Sequence, residues 1–323
     1  MDIKPNMSES FPLKTREVFR DCIMMPYNYS DVFYHYTTQT GLEGILRSGG
    51  LRAAYRMTMN DPGEFEYARR VVFEALNKVS QSNNLAPVAQ SIAIYTLRNL
   101  EQLLNNTLQM SSSFCACFTA SPDHPKQWER YADDGKGFAI GFNLSKILIN
   151  QFPAVQNGNP FIFCAPVTYN ESGQRELVIR LIETGISDLQ TFTSKCSQQS
   201  ADLTSLRDRI TEEIVDDLIV LIDFFKAPIY SSEQEIRLIL DPNDGTLNAP
   251  NIQHYRSNQE SIPYIFMDLC SQMTKRLPLK DIKVGPNASF DKNKNFVDNL
   301  LDELGYGSNY MDRPEITKSY VVI

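Results

Sequence analysis

Apolar and polar positions change period repeatedly along the chain. Val32 to Thr37 (VFYHYT) is dense in aromatic and β-branched residues and reads as a strand. Alternation places Phe33, His35 and Thr37 on one face, and Val32, Tyr34 and Tyr36 on the other. Thr40-Gly41-Leu42-Glu43 has the form of a capping box, opening a short helix over 42–47 that ends at Gly49-Gly50. Residues 51–55 read as a second strand. Asp61-Pro62-Gly63-Glu64 starts another helix, carrying Phe65, Ala68, Val72 and Leu76 at helical spacing.

A further amphipathic helix is expected over 88–108, and a buried strand over 113–119. One or two helical turns follow over 126–132, then a strand over 136–142 with Gly137, Ala139 and Gly141 on one face. Those small residues imply close approach by backbone or ligand. Residues 161–169 read as a strand. The stretch 173–225 is mostly helical, with Leu206, Ile210, Ile214, Leu218, Ile222 and Phe225 as one core stripe. Later strands are expected over 233–240, 262–269, 282–285 and 316–322, with a helix over 292–304. Strands scattered among helices give an α+β fold. Residues 1–31 read as a lead-in, and 32–323 as one α+β domain with helical insertions near 84–110 and 172–225.

Composition narrows the function. The 323 residues can bury a full core unaided. A net charge of −8 argues against a protein that coats nucleic acid. Six scattered cysteines without a C-x-x-C read as buried thiols in a reducing compartment. Neither a secretory signal nor a membrane-length apolar run is visible, so a cytoplasmic protein with no membrane partner is expected. Phosphate-loop, dinucleotide-loop, serine-hydrolase and zinc-protease signatures are absent, and three widely spaced histidines make no metal site.

Three features carry candidate chemistry. Glu233-x-Glu235 on one strand face would hold two carboxylates close, raising the pKa of one and leaving the other ionised. An ionised carboxylate beside a ribose stabilises an oxocarbenium-like transition state. Spacing alone favours a plainer arrangement, with solvated acids on an edge strand and Arg237 pairing with one of them. His35 taken alone reads as a satisfied core histidine. Trp128-x-x-Tyr131 is as fit to anchor a short helix as to sandwich a flat heterocycle.

Together these motifs resemble a widespread bacterial family catalogued as a domain of unknown function. The resemblance rests on Tyr34-His35-Tyr36-Thr37, Gly44-Ile45-Leu46, Gly50-Leu51-Arg52 and Asn60-Asp61-Pro62-x-Glu64. Cys117-Phe118-Thr119, Trp128-x-x-Tyr131-Ala132, Gly137-x-x-x-Gly141-Phe142 and Glu233-x-Glu235-x-Arg237 complete it. That family is in turn similar to the ADP-ribosyltransferase superfamily, in the branch with a His, Tyr, Glu triad. The resemblance implies a split mixed β-sheet with helical insertions, and NAD as substrate. The expected reaction is ADP-ribosyl transfer or NAD hydrolysis at the nicotinamide–ribose bond. His35 would bind the adenosine-side ribose, with Tyr36, Thr37 and Asn60 from the same motifs beside the ligand. Tyr131, with Trp128 or Phe118, would stack on nicotinamide. Glu235 would stabilise the oxocarbenium ion, Glu233 would orient or deprotonate the acceptor, and Arg237 or Arg52 would meet the pyrophosphate. By analogy alone, a role in phage defence, toxicity or stress follows. Two other classes stay open: a non-catalytic nucleotide-sensing or protein-binding module, and a metal-dependent hydrolase or nuclease using the acids. The acceptor, whether protein, nucleic acid or water, and the oligomeric state are not legible.

Overall fold

A computed structural model describes residues 14, 32–58, 62–81, 87–105, 113–143, 146–147, 161–195, 200–241, 252–257, 260–271, 274–307 and 313–323. The elements are β1 (Val32–Thr37), α1 (Gln39–Ser48), β2 (Gly50–Tyr55), α2 (Pro62–Ser80), α3 (Pro87–Asn105), β3 (Phe114–Thr119), α4 (Pro125–Tyr131), β4 (Phe138–Asn143) and β5 (Phe161–Pro166). They continue with α5 (Glu171–Lys195), α6 (Ser200–Ile222), β6 (Glu235–Asp241), β7 (Ile252–Ser257), β8 (Glu260–Asp268), β9 (Leu279–Val284), α7 (Phe290–Glu303) and β10 (Glu315–Lys318). This is an α+β protein. None of the described helices is long and apolar enough to cross a membrane.

Contacts divide the chain into two compact units. One is helical and takes in 59–111 and 167–231, so the two expected insertions, joined by α2, form a unit of their own. The stripe Leu206, Ile210, Ile214, Leu218, Ile222 and Phe225 is buried there, as helical spacing requires. Lys226 and Glu64 make a buried ion pair in the same unit. The N-terminal lead-in lies outside the described residues except at Lys14, whose backbone N–H donates to Asp188.

The other unit holds a ten-stranded mixed sheet in the order β10-β9-β4-β1-β3-β2-β8-β7, with β6 and β5 branching from β3. Only β10–β9 is parallel among its pairings. β6 pairs with β3 along its whole length, from Phe114↔Leu240 to Thr119↔Glu235. The pairings of β3 with β2 and β1 lie at its two ends, at Phe114 and Cys115 and at Thr119 respectively. The sheet is therefore split along β3.

One sheet face packs Phe33, Phe118, Phe138, Ile140, Ile236 and Leu238 against Leu42 and Leu46 of α1 and Val297 and Leu301 of α7. The opposite face packs Tyr34, Tyr36 and Ala139 against Trp128 and Ala132 of α4 and its C-terminal end. The first is called the α1 face below, and the second the α4 face.

Local differences from the sequence reading have simple causes. The cap of α1 is Thr38, whose Oγ1 accepts from Gly41 N–H, so the helix starts before Thr40. The proposed Asp61 cap lies outside the described residues. β7 was not expected, because IQHYRS is polar and only half apolar by alternation; it forms as the outer strand of a hairpin with β8.

The small face of β4 serves the protein itself. A Cβ on Gly137 would stand 2.3 Å from the Thr37 carbonyl oxygen and 3.0 Å from that of Ala132. At Gly141 it would stand 2.4 Å from Asp281 Oδ1, and its absence lets Tyr34 reach across β4 to donate to Asp281. Gly137→Ala is expected to cost about 1–3 kcal/mol, because backbone has to move to admit the methyl. Urea denaturation checks this, and an unchanged midpoint would contradict the close approach.

Candidate functional site

His35 stands at the split. Its Nδ1 lies 3.0 Å from the carbonyl oxygen of Cys117, which belongs to the stretch of β3 between its β2 and β1 pairings. A carbonyl inside a sheet needs a donor, and the ring supplies the N–H that a neighbouring strand would otherwise give. Nδ1 therefore carries the proton. Burial holds the His35 pKa below 6.5, partly offset by this hydrogen bond, so the ring is neutral at pH 7. Its edge packs on Phe118, which in turn meets Phe142.

Register then decides what His35 can share. It lies opposite Ile140 on β4, on the α1 face with Phe33 and Phe118. Ile236, Leu238 and Leu240 of β6 point to that same face, so Glu235 and Arg237 point to the α4 face. The family resemblance implied that His35, Tyr131 and Glu235 meet one ligand. The sheet instead sets His35 and Glu235 on opposite faces.

The acidic motif also differs from a simple strand pair. Pro228–Glu233 is a turn of 3-10 helix, Gln234 sits at φ 45°, and the strand begins at Glu235. Glu233 and Glu235 are thus not alternate residues of one strand. Both are buried, and each has its own arginine. Glu235 receives Arg237 on both oxygens, Nε–Oε1 at 2.8 Å and Nη2–Oε2 at 3.0 Å. Glu233 Oε1 receives Arg130 Nη1 at 2.8 Å. Arg237 is wholly buried, in register with Cys117 and with Ala165. A buried guanidinium is sustained only by a carboxylate this well aligned. The expected push of one carboxylate against the other is replaced by two ion pairs.

The turn is stitched from both sides. The Glu233 carbonyl accepts from Thr119 Oγ1 at 2.9 Å and Gln127 Nε2 at 3.4 Å, and Ala120 N–H donates to the Gln234 carbonyl. Gln127 and Arg130 reach Glu233 together because they stand three apart on α4. Sequence reasoning gave Thr119 no role beyond its motif and missed Gln127 and Arg130. That i,i+3 pair flanking Trp128 was the available signal.

Beside Arg237, the thiols of Cys115 and Cys117 lie 3.6 Å apart on the α4 face. The hydrogen bond with Cys115 and burial push the Cys117 thiol well above its ordinary value, so it stays protonated. The four described cysteines are free thiols. Among the described residues, no group of three or more His, Cys, Asp or Glu could hold a metal ion.

The remaining expected ligand residues divide clearly. Trp128 is fully buried, donates Nε1–H to Asp123 at 2.7 Å and meets Tyr36 edge-on at 4.8 Å. It anchors α4 and presents no face to a ligand. Phe118 is core, and Tyr36 is buried with its hydroxyl between Ser121 and His124. Thr37 is buried close to Gly41. Arg52 is exposed but lies between the rings of Tyr255 and Tyr264, 5.1 Å from each. Asn60 falls outside the described residues. Tyr131 is half-buried next to Arg130 and remains the accessible aromatic of its motif.

Two measurements follow from this geometry. The lowered pKa of His35 means that the unfolded chain takes up a proton first as pH falls. The stability His35 contributes is complete above about pH 6.5 and is lost below it. The melting temperature should therefore fall between pH 7.5 and 5.5 by less in His35→Gln than in the native protein, and equal falls would contradict the neutral ring. Gln234 is exposed yet left-handed, so its substitutions read the backbone alone. Val should cost about 1–2 kcal/mol and Gly close to nothing, measured by denaturation.

No curated protein and no solved structure matches the chain. Residues 127–238 match the family described as "Protein of unknown function (DUF2971)", a span that leaves the motifs before Gln127 outside. It opens on the α4 residue that binds the Glu233 carbonyl and closes just past Arg237, so its two ends meet at the stitched turn. Over that segment the chain is similar to a family of unknown function, and the matched residues include the Glu233–Glu235 corner.

Proposed function

We propose that the sheet unit binds NAD and cleaves the bond between nicotinamide and ribose, passing ADP-ribose to water or to an acceptor. One observation carries the reading: Glu235 is a buried carboxylate gripped on both oxygens by a wholly buried Arg237. The pair fixes the direction of the Glu235 carboxylate, as stabilisation of a developing positive charge demands. Glu235 would accept a hydrogen bond from a hydroxyl of the nicotinamide-side ribose. The C1′–N bond breaks and its electron pair leaves with nicotinamide. The oxocarbenium ion is then captured by an oxygen nucleophile, which gives up its proton. Glu233, two residues away at the turn, would orient or deprotonate that nucleophile. Tyr131 is the ring available to nicotinamide. His35, Trp128 and Phe118 support the site through the fold and do not touch the ligand, and Arg237 is committed to Glu235.

A second reading has its own observation. Both acids are neutralised by arginines, which suits a non-catalytic nucleotide-sensing or protein-binding module. Nicotinamide release from NAD by the purified protein, beside Glu235→Gln, separates the two. Release that falls by about a hundredfold or more in the variant, with NAD affinity kept, supports cleavage. NAD binding with no release in either protein favours the sensor, and absence of binding overturns the NAD reading.

A further inference from the structure

Arg130 has more donors than its ion pair uses. Nη1 donates to Glu233, while Nε and Nη2 have no partner among the described residues. The Arg130 side chain is 48% exposed and that of Glu233 only 7%. The ion pair is therefore one-sided, with a sealed carboxylate inside and a guanidinium whose outer edge faces solvent. The Tyr131 ring lies 6.0 Å from the guanidinium carbon and helps to set the orientation of its plane. The Glu233 backbone is held by Thr119 and Gln127, so the carboxylate does not follow if Arg130 turns outward.

A guanidinium edge with unspent donors matches two oxygens of a phosphate. We propose that Arg130 is the receptor for a phosphate group of the ligand, and that Glu233 is the counter-ion with which that phosphate competes. The reading of the ligand as NAD, whose pyrophosphate would sit here, rests on the function proposed above. Capture of a phosphate by Arg130 does not. Glu233 thereby has two tasks in sequence. It holds Arg130 until a phosphate arrives and, once the phosphate draws the guanidinium away, its carboxylate turns to the acceptor.

Titration calorimetry of the full chain with inorganic pyrophosphate tests this, using the native protein, Arg130→Gln, Arg130→Lys and Glu233→Gln. Thermal melts confirm that each is folded. Arg130→Gln should weaken binding by about tenfold or more, and Arg130→Lys by less, since it keeps the charge and loses the fork. Glu233→Gln should tighten binding by about threefold, because the competing charge is gone. Opposite signs at the two partners are the signature, since a purely structural ion pair would weaken binding from either side. No binding by the native protein, unchanged binding in Arg130→Gln, or weaker binding in Glu233→Gln would each overturn the proposal. Arg130-dependent pyrophosphate binding in a protein that releases no nicotinamide would sustain it and remove the NAD chemistry. Nicotinamide release indifferent to Arg130→Gln would do the reverse.

Discussion

A backbone carbonyl at a fork in a sheet has to find a donor, and here the donor is a histidine side chain. β3 carries β6 on one edge, while β1 and β2 meet it only near its ends. Between them the Cys117 carbonyl is met by His35. Had β1 run on along β3, the sheet would be continuous. The single histidine keeps the split without an orphaned carbonyl, at the cost of a ring held neutral by burial. Everything on the α4 face follows from where β3 then places its other residues. Thr119 faces Glu235, and Cys117 faces Arg237.

The corner built there is an exercise in charge placement. Two carboxylates and a guanidinium are buried within five residues, at Glu233, Glu235 and Arg237, and a second guanidinium closes the set from solvent. Removing Arg237 would strand the Glu235 carboxylate in a buried site, a change that typically costs about 3–5 kcal/mol. Arg130 is a different kind of partner, half in water and bound by one donor. The contrast separates a fixed pair from an exchangeable one, and this division underlies both the proposed chemistry and the proposed phosphate capture.

Much of the fold was legible because its signals are local. The six-residue alternation of VFYHYT gave β1 and the correct partition of its faces. The apolar stripe of α6 gave its buried side. The fate of the site residues depended on pairing, which no local pattern carries. His35 and Glu235 were each placed correctly on a strand, yet their faces became comparable only through the registers of β4, β3 and β6. Glu233-x-Glu235 looked like strand alternation because the left-handed Gln234 leaves no mark in sequence when the residue is not glycine. Trp128 was balanced between anchor and platform, and its hydrogen bond to Asp123 settles it as an anchor.

The central claim is that the ligand is met on the α4 face, at Glu235 and Tyr131, and not at His35. Nuclear magnetic resonance during an NAD titration reads both places at once. The account predicts saturable shifts of the Tyr131 ring and of the Glu235 amide, with the His35 imidazole carbons unmoved. Shifts concentrated at the His35 ring, with Tyr131 and Glu235 unchanged, would contradict it.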